Sequence, residues 1–172
     1  KTSEKSNEIT AIPELLDLLF LKDSIVTIDA MGTQKKIAEK IIKKKGDYVL
    51  ALKGNHEMFH KEVKDYMKQA LEDCFNDIKM SKKVTIEKGH GRIEKREYYQ
   101  TDDIGWFSEK GLWKGLKSIG MVRRTVSQKE KETVEISYYI SSLEMPEKGE
   151  CELFAKAIRK HWGVESCHWM LD

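Results

Sequence analysis

Ile25-Val26-Thr27-Ile28-Asp29 is an apolar run closed by an acid, and Tyr48-Val49-Leu50-Ala51-Leu52 is a second run, followed by Lys53. Between them Ile37, Ala38, Ile41 and Ile42 recur at helical spacing, with lysines on the other faces. Two short apolar strands joined by a helix imply a right-handed βαβ crossover and a parallel pair. Asp29 and Lys53 then leave the sheet at the same end, where open α/β sheets hold their ligands. An α/β fold is expected, with Asp29 at its functional edge.

Further out, Pro13 suits the first turn of a helix through Leu15, Leu16, Leu18 and Leu19. Thr33 is placed to cap the helix between the strands and Gly46 to stop it. From Glu57 to Phe75 the set Phe59, Val63, Tyr66, Met67, Ala70 and Cys74 keeps a helical period. The pattern then changes. Residues 82–87, 92–101, 116–126 and 133–140 alternate or are rich in β-formers, with turns near Gly89-His90-Gly91 and between Gln128 and Lys131, so an antiparallel sheet is expected. Glu144 to Gly149 reads as a linker into a last helix, on which Leu153, Phe154, Ala157, Ile158 and His161 share a face. That helix carries Glu165 within His161-Trp162-Gly163-Val164-Glu165-Ser166-Cys167-His168-Trp169, an unusual setting for a surface acid. The expected organisation is a first core part over 1–56, a helix plus β-rich insertion over 57–145, and a core helix over 146–172.

A chain of 172 residues with 40% hydrophobic content can bury a sizeable core. Charged residues make up 35%, yet the formal net charge is only +2, so bulk charge does not announce nucleic-acid binding. The distribution is uneven: between Lys110 and Lys131 five lysines and arginines separate those two ends, against Glu130 alone. Cys74, Cys151 and Cys167 form no metal-like pair and fit a reducing cytoplasm better than a disulfide framework. The longest apolar stretch, Leu15 to Leu21, is short and broken by Asp17, so no membrane segment is expected.

Six stretches point together to one family: Ser6-Asn7-Glu8-Ile9-Thr10-Ala11-Ile12-Pro13, Thr27-Ile28-Asp29-Ala30-Met31-Gly32, Tyr48 to Asn55, Gly89 to Glu94, Tyr138 to Leu143 and the closing His-Trp-Gly-Val-Glu segment. In order and spacing they resemble the ISAs1-type transposases, which include the H-repeat-associated proteins. The resemblance implies an IS4-like DDE recombinase with an RNase H-like core and an insertion between the second Asp and the Glu of its triad. Asp29 resembles that second Asp and Glu165 that Glu, which makes both catalytic and both metal ligands. The implied cofactor is Mg²⁺ or Mn²⁺, since two metals held by carboxylates can activate the attacking oxygen and stabilise the leaving one during strand cleavage and transfer. The implied partners are DNA, at transposon ends, and further copies of the same protein.

In such enzymes the first Asp lies on an earlier strand, upstream of Lys1. The chain is therefore expected to be a carboxy-terminal fragment, inactive alone, whose strand edge seeks pairing. The wider IS4 group also carries a Tyr and an Arg before the Glu and a Lys after it. At those spacings this chain has Ile158, His161 and Asp172, so the clamping role is not carried over.

The candidate DNA contacts are Lys53 and Asn55 after the second strand, His90 and Arg92 at a hairpin tip, Arg123 and Arg124, and Arg159 and His161 beside the Glu. Each also has an ordinary reading as a turn residue or an ion-pair partner, and Arg123 and Arg124, adjacent on a strand, point to opposite faces. Another class of reading is a catalytically incomplete remnant that binds only DNA or itself. A third rests on His56-Glu57-Met58-Phe59-His60, which matches the H-E-x-x-H pattern of zinc metalloproteases but sits directly after a turn, at the start of a helix, with no conspicuous third-ligand motif following, although Glu72 and Asp73 are conceivable ligands.

Overall fold

A computed structural model describes residues 5–73, 78–89 and 91–168, with side chains for 11–54, 56–73, 78–89 and 91–163. The chain runs α1 (Lys5–Leu18), β1 (Ile25–Ile28), α2 (Lys35–Lys43), β2 (Asp47–Leu52), α3 (Glu57–Glu72), β3 (Ser81–Gly89), β4 (Arg92–Thr101), β5 (Ser118–Gln128), β6 (Lys131–Ser141) and α4 (Glu152–His168). The six strands form one sheet in the order β1-β2-β6-β5-β4-β3. β1 and β2 are parallel, with Thr27 opposite Val49, and every other pair is antiparallel. The expected crossover is thus present, and the β-rich segment continues the same sheet because β6 pairs with β2.

Strand alternation sends side chains to two cores. On one face Leu50, Met121, Tyr138 and Ile140 pack with Ile37 and Ile41 of α2, Val63 and Met67 of α3, and Trp113. On the other, Val49, Tyr98, Val122 and Tyr139 pack under Phe154, Ala155 and Ile158 of α4. Gly120 makes that second approach possible, since a Cβ there would stand 2.2 Å from Phe154 Cζ and 2.8 Å from the Tyr99 carbonyl.

Four local expectations change. Pro13 lies inside α1, which begins earlier. The cap position of α2 is Gln34, and Thr33 is fully buried between backbone carbonyls. α2 ends in a Schellman arrangement, Lys45 N–H to Ile42 O and Gly46 N–H to Ile41 O, but Lys45 takes the left-handed conformation (φ 61°). Gly46 is needed for another reason, because a Cβ would meet the Leu21 carbonyl at 2.9 Å. Leu153 is 61% exposed and leaves the buried face of α4 to Phe154, Ala157 and Ile158.

Candidate active-site cleft

The loop after β1 is fixed before any ligand arrives. Asp29 follows the strand, and its Oδ1 accepts the Gly32 N–H at 3.1 Å. Thr33 Oγ1 lies 3.0 Å from the Asp29 carbonyl and 2.7 Å from that of Ala51, so the loop is stitched to the end of β2. Gly32 must lack a side chain, as a Cβ would fall 2.4 Å from Ile28 Cγ2. One oxygen of the exposed Asp29 carboxylate is thus used by the turn, and the other has no protein partner among the described residues.

Asp29 opens onto a cleft of about 390 Å³ whose walls include Lys53, His60, Glu135, Tyr138, His161 and Trp162. The parallel pair brings Asp29 and Lys53 there together, as their strand-end positions imply. α4 closes one side. His161 Nδ1 lies 3.2 Å from Thr27 Oγ1, joining the helix to the strand that ends in Asp29. His60 stands edge-on to Tyr138 with ring centroids 5.4 Å apart, and burial, followed by the nearby Lys64 charge, holds its imidazole below the usual pKa.

Glu165 falls within α4, and its side chain lies outside the described residues, as do those of Asn55 and His90. Among the described residues, no three His, Cys, Asp or Glu side chains gather as a metal site. Of the two described carboxylates in the cleft wall, Glu135 is paired with Arg124 and Asp29 keeps an oxygen suited to a divalent ion, so a set of three needs a group beyond those described.

The basic candidates divide. Lys53 and Arg123 are exposed and have no ion pair among the described residues. Arg92 Nη2 lies 3.8 Å from Glu94 at the hairpin end. Arg159 grips Glu87 with two nitrogens, at 3.1 and 3.0 Å. Arg124 is bound between Glu94 and Glu135 and lies over the Trp162 ring, 5.7 Å from its centroid.

The His56/His60 pair does not share a helical face. α3 begins at Glu57, and His56 precedes it in a short turn. His56 Nε2 lies 2.5 Å from the Thr33 carbonyl, which requires that nitrogen to carry the proton and removes it as a ligand. His56 stacks edge-on with Trp113, whereas His60 faces the cleft.

Glu135 and Thr27 reach the site without having been singled out in the sequence. Strand alternation assigns Glu135 a face, but only the pairing of β6 with β2 brings that face beside Asp29. Thr27 was legible as the residue two before Asp29 on one strand face, yet its partner lies on the last helix.

The chain matches the Transposase DDE domain family over residues 1–172. It is 45% identical, along its whole length, to YncI, a candidate transposase of Escherichia coli O157:H7, and spans 44% of that protein. It is 43% identical to YhhI of Escherichia coli K12, an H repeat-associated candidate transposase, again over the whole chain and 45% of the relative. The chain thus spans less than half the length of these relatives. No solved structure matches it. With the family matched from end to end and relatives of this identity, the chain belongs to the DDE transposase domain family.

Proposed function

We propose that this chain supplies the later part of an RNase H-like catalytic core, in which Asp29 and Glu165 are two of the carboxylates that hold divalent metal, Mg²⁺ or Mn²⁺. The intact protein would use those metals to cleave DNA strands at transposon ends and transfer them. Residues 1–56 and 146–172 belong to that core in this reading, and 57–145 is the insertion between its two acids. Copies of the protein would assemble on DNA, with Lys53, Arg92 and Arg123 offered to its phosphates. No described helix is long and apolar enough to cross a membrane.

The observation that carries the reading is the 3.2 Å approach of His161 to Thr27. A groove beside β1 is lined by Ile25 with Leu153 and Ala157, so α4 advances alongside the strand in the same direction. Asp29 lies two residues beyond Thr27, about 6.6 Å along a strand. Glu165 lies four beyond His161, about 6 Å along a helix on the same face. Equal advances from one contact support convergence of the two acids.

Mn²⁺ titration followed by electron paramagnetic resonance tests it. The wild-type chain should bind Mn²⁺, and Asp29→Asn and Glu165→Gln should each weaken binding at least about tenfold. Retention of wild-type affinity by both folded variants would overturn the assignment. A nicking assay adds a second arm: this chain alone should not cut DNA, and cutting that Asp29→Ala abolishes would place a third ligand within these residues.

A further inference from the structure

Beneath α4, the sheet carries a chain of opposite charges that the proposed metal chemistry does not use. Glu135 Oε2 meets Arg124 Nη1 at 2.8 Å, and Arg124 Nε donates to Glu94. Glu94 also accepts from Arg96, whose Nη1 lies 3.3 Å from Glu87, and Glu87 is held by Arg159 of α4. All of these sheet residues sit on one face, in two adjacent cross-strand rows: Glu135, Arg124 and Arg96 stand opposite one another on β6, β5 and β4, and Glu94 stands opposite Glu87 two residues along. Glu94 is 4% exposed and Arg96 7%, so the middle of the row is buried, while Glu135 at one end and Glu87 with Arg159 at the other reach solvent. Removing the central Glu94 would take a partner from both Arg124 and the buried Arg96, which is costly for a desolvated charge.

The row begins in the cleft wall, at Glu135, and ends on the helix that carries Glu165. Its second member meets the helix directly. The Arg124 guanidinium lies over Trp162, itself a wall of the cleft, and the space between Arg124, Tyr98, Ile158 and Trp162 is closed down to about 10 Å³. A planar cation fixed by two carboxylates offers a flat, rigid platform to an indole. Trp162 is three residues before Glu165, so fixing the ring fixes the helical turn that bears the acid.

We propose that Arg124 is a positioning residue of the cleft: held by Glu94 and Glu135, it seats Trp162 and so sets the last turn of α4 against Asp29. The inference deepens the metal-site reading and rests on it for its consequence. It also gives Arg124 a task other than meeting DNA. Lysine cannot replace it, because an ammonium keeps the charge but cannot bond two carboxylates in a plane while stacking on an indole.

The test uses the whole chain labelled with 5-fluorotryptophan. Its four tryptophans give four fluorine resonances, and the one lost in Trp162→Phe is that of Trp162. Arg124→Lys should move the Trp162 resonance, leave those of Trp106 and Trp113 in place, and weaken Mn²⁺ binding about tenfold. Glu135→Gln, at the exposed end of the row, should move the same resonance in a chain that folds normally. If Arg124→Lys fails to fold, Glu135→Gln carries the test. An unmoved Trp162 resonance in the folded variants overturns the inference. A moved resonance with Mn²⁺ binding indifferent to Asp29→Asn supports the seating of Trp162 and instead sinks the metal-site reading.

Discussion

Thr27 Oγ1 and His161 Nδ1 lie 3.2 Å apart and tie the first strand of the sheet to the last helix across 134 residues of sequence. The contact stands just upstream of Asp29 on one element and of Glu165 on the other. Thr27→Val keeps the shape of the side chain and removes the hydroxyl. We expect a loss of about 1 kcal/mol of folding stability, as for one net hydrogen bond. Urea melts check this, and nitrogen chemical shifts of the His161 ring should change with the lost partner. A His161 signal identical in both proteins would refute the link.

Gly120→Ala tests the seat of α4. The new methyl group would meet a ring and a backbone carbonyl, and the carbonyl cannot swing aside. Stability should fall by about 1–3 kcal/mol, the usual range for overpacking. Amide exchange should show faster opening in α4 than in α3, and equal acceleration in both helices would show that the strain is not local to Phe154.

Lys44 closes the end of α1 from outside that helix. Its Nζ donates to the carbonyls of Leu16, Asp17 and Leu19 at 2.5, 2.7 and 2.7 Å. Carbonyls at a helix end lack internal donors, and a cation there also meets the negative end of the helix dipole. Lys44→Met keeps the apolar stem and should cost about 1–2 kcal/mol by denaturant unfolding, with protease cutting first near α1. Unchanged stability would mean that water replaces the ammonium fully.

Acid should loosen the sheet through three carboxylates. Hydrogen bonding from Arg159 holds Glu87 below the ordinary value of 4.5. Burial works to raise Glu94 and Glu97, but Arg124 and Arg96 around the first, and Lys82 and Lys95 around the second, outweigh it and lower both. A folded value below the unfolded one means that these groups contribute stability above pH 4.5, and that it is lost as the pH falls below that point toward their depressed values. Urea midpoints measured from neutral pH downward should therefore drop on the acid side. Glu94→Gln should be less stable at neutral pH and show a shallower fall, and an unaltered acid slope would count against this account.

The sequence made the strands legible where chemistry is local. Arg92 to Thr101 was readable to the residue because alternation and turn signals agree. The parallel pair followed from two apolar runs too close for anything but a helical crossover. What stayed hidden depends on partners far along the chain. Thr33 looks like a cap until Ala51 supplies a carbonyl, Leu153 looks buried until α4 meets the edge of β1, and Glu135 looks like a solvated acid until β6 lies against β2. Asp29 was legible by position, whereas the seat of Arg124 under Trp162 requires two elements that no local pattern connects.

The sheet order also bears on how the chain folds. β3 with β4 and β5 with β6 are hairpins closed by short turns, whereas Val49 of β2 must find Ser141 of β6. Joining distant segments carries a larger loss of chain freedom and comes late unless local contacts hold it in place. The four-stranded meander is therefore expected to form early, with the β1-β2 pair and α4 docking onto it afterwards. Pulse-labelled amide exchange should protect β4 and β5 before β1. The cleft around Asp29 lies on the seam between those two assemblies, so a partly folded chain would hold a well-formed meander and no cleft, and the cleft would open to ligands only once the last helix has docked.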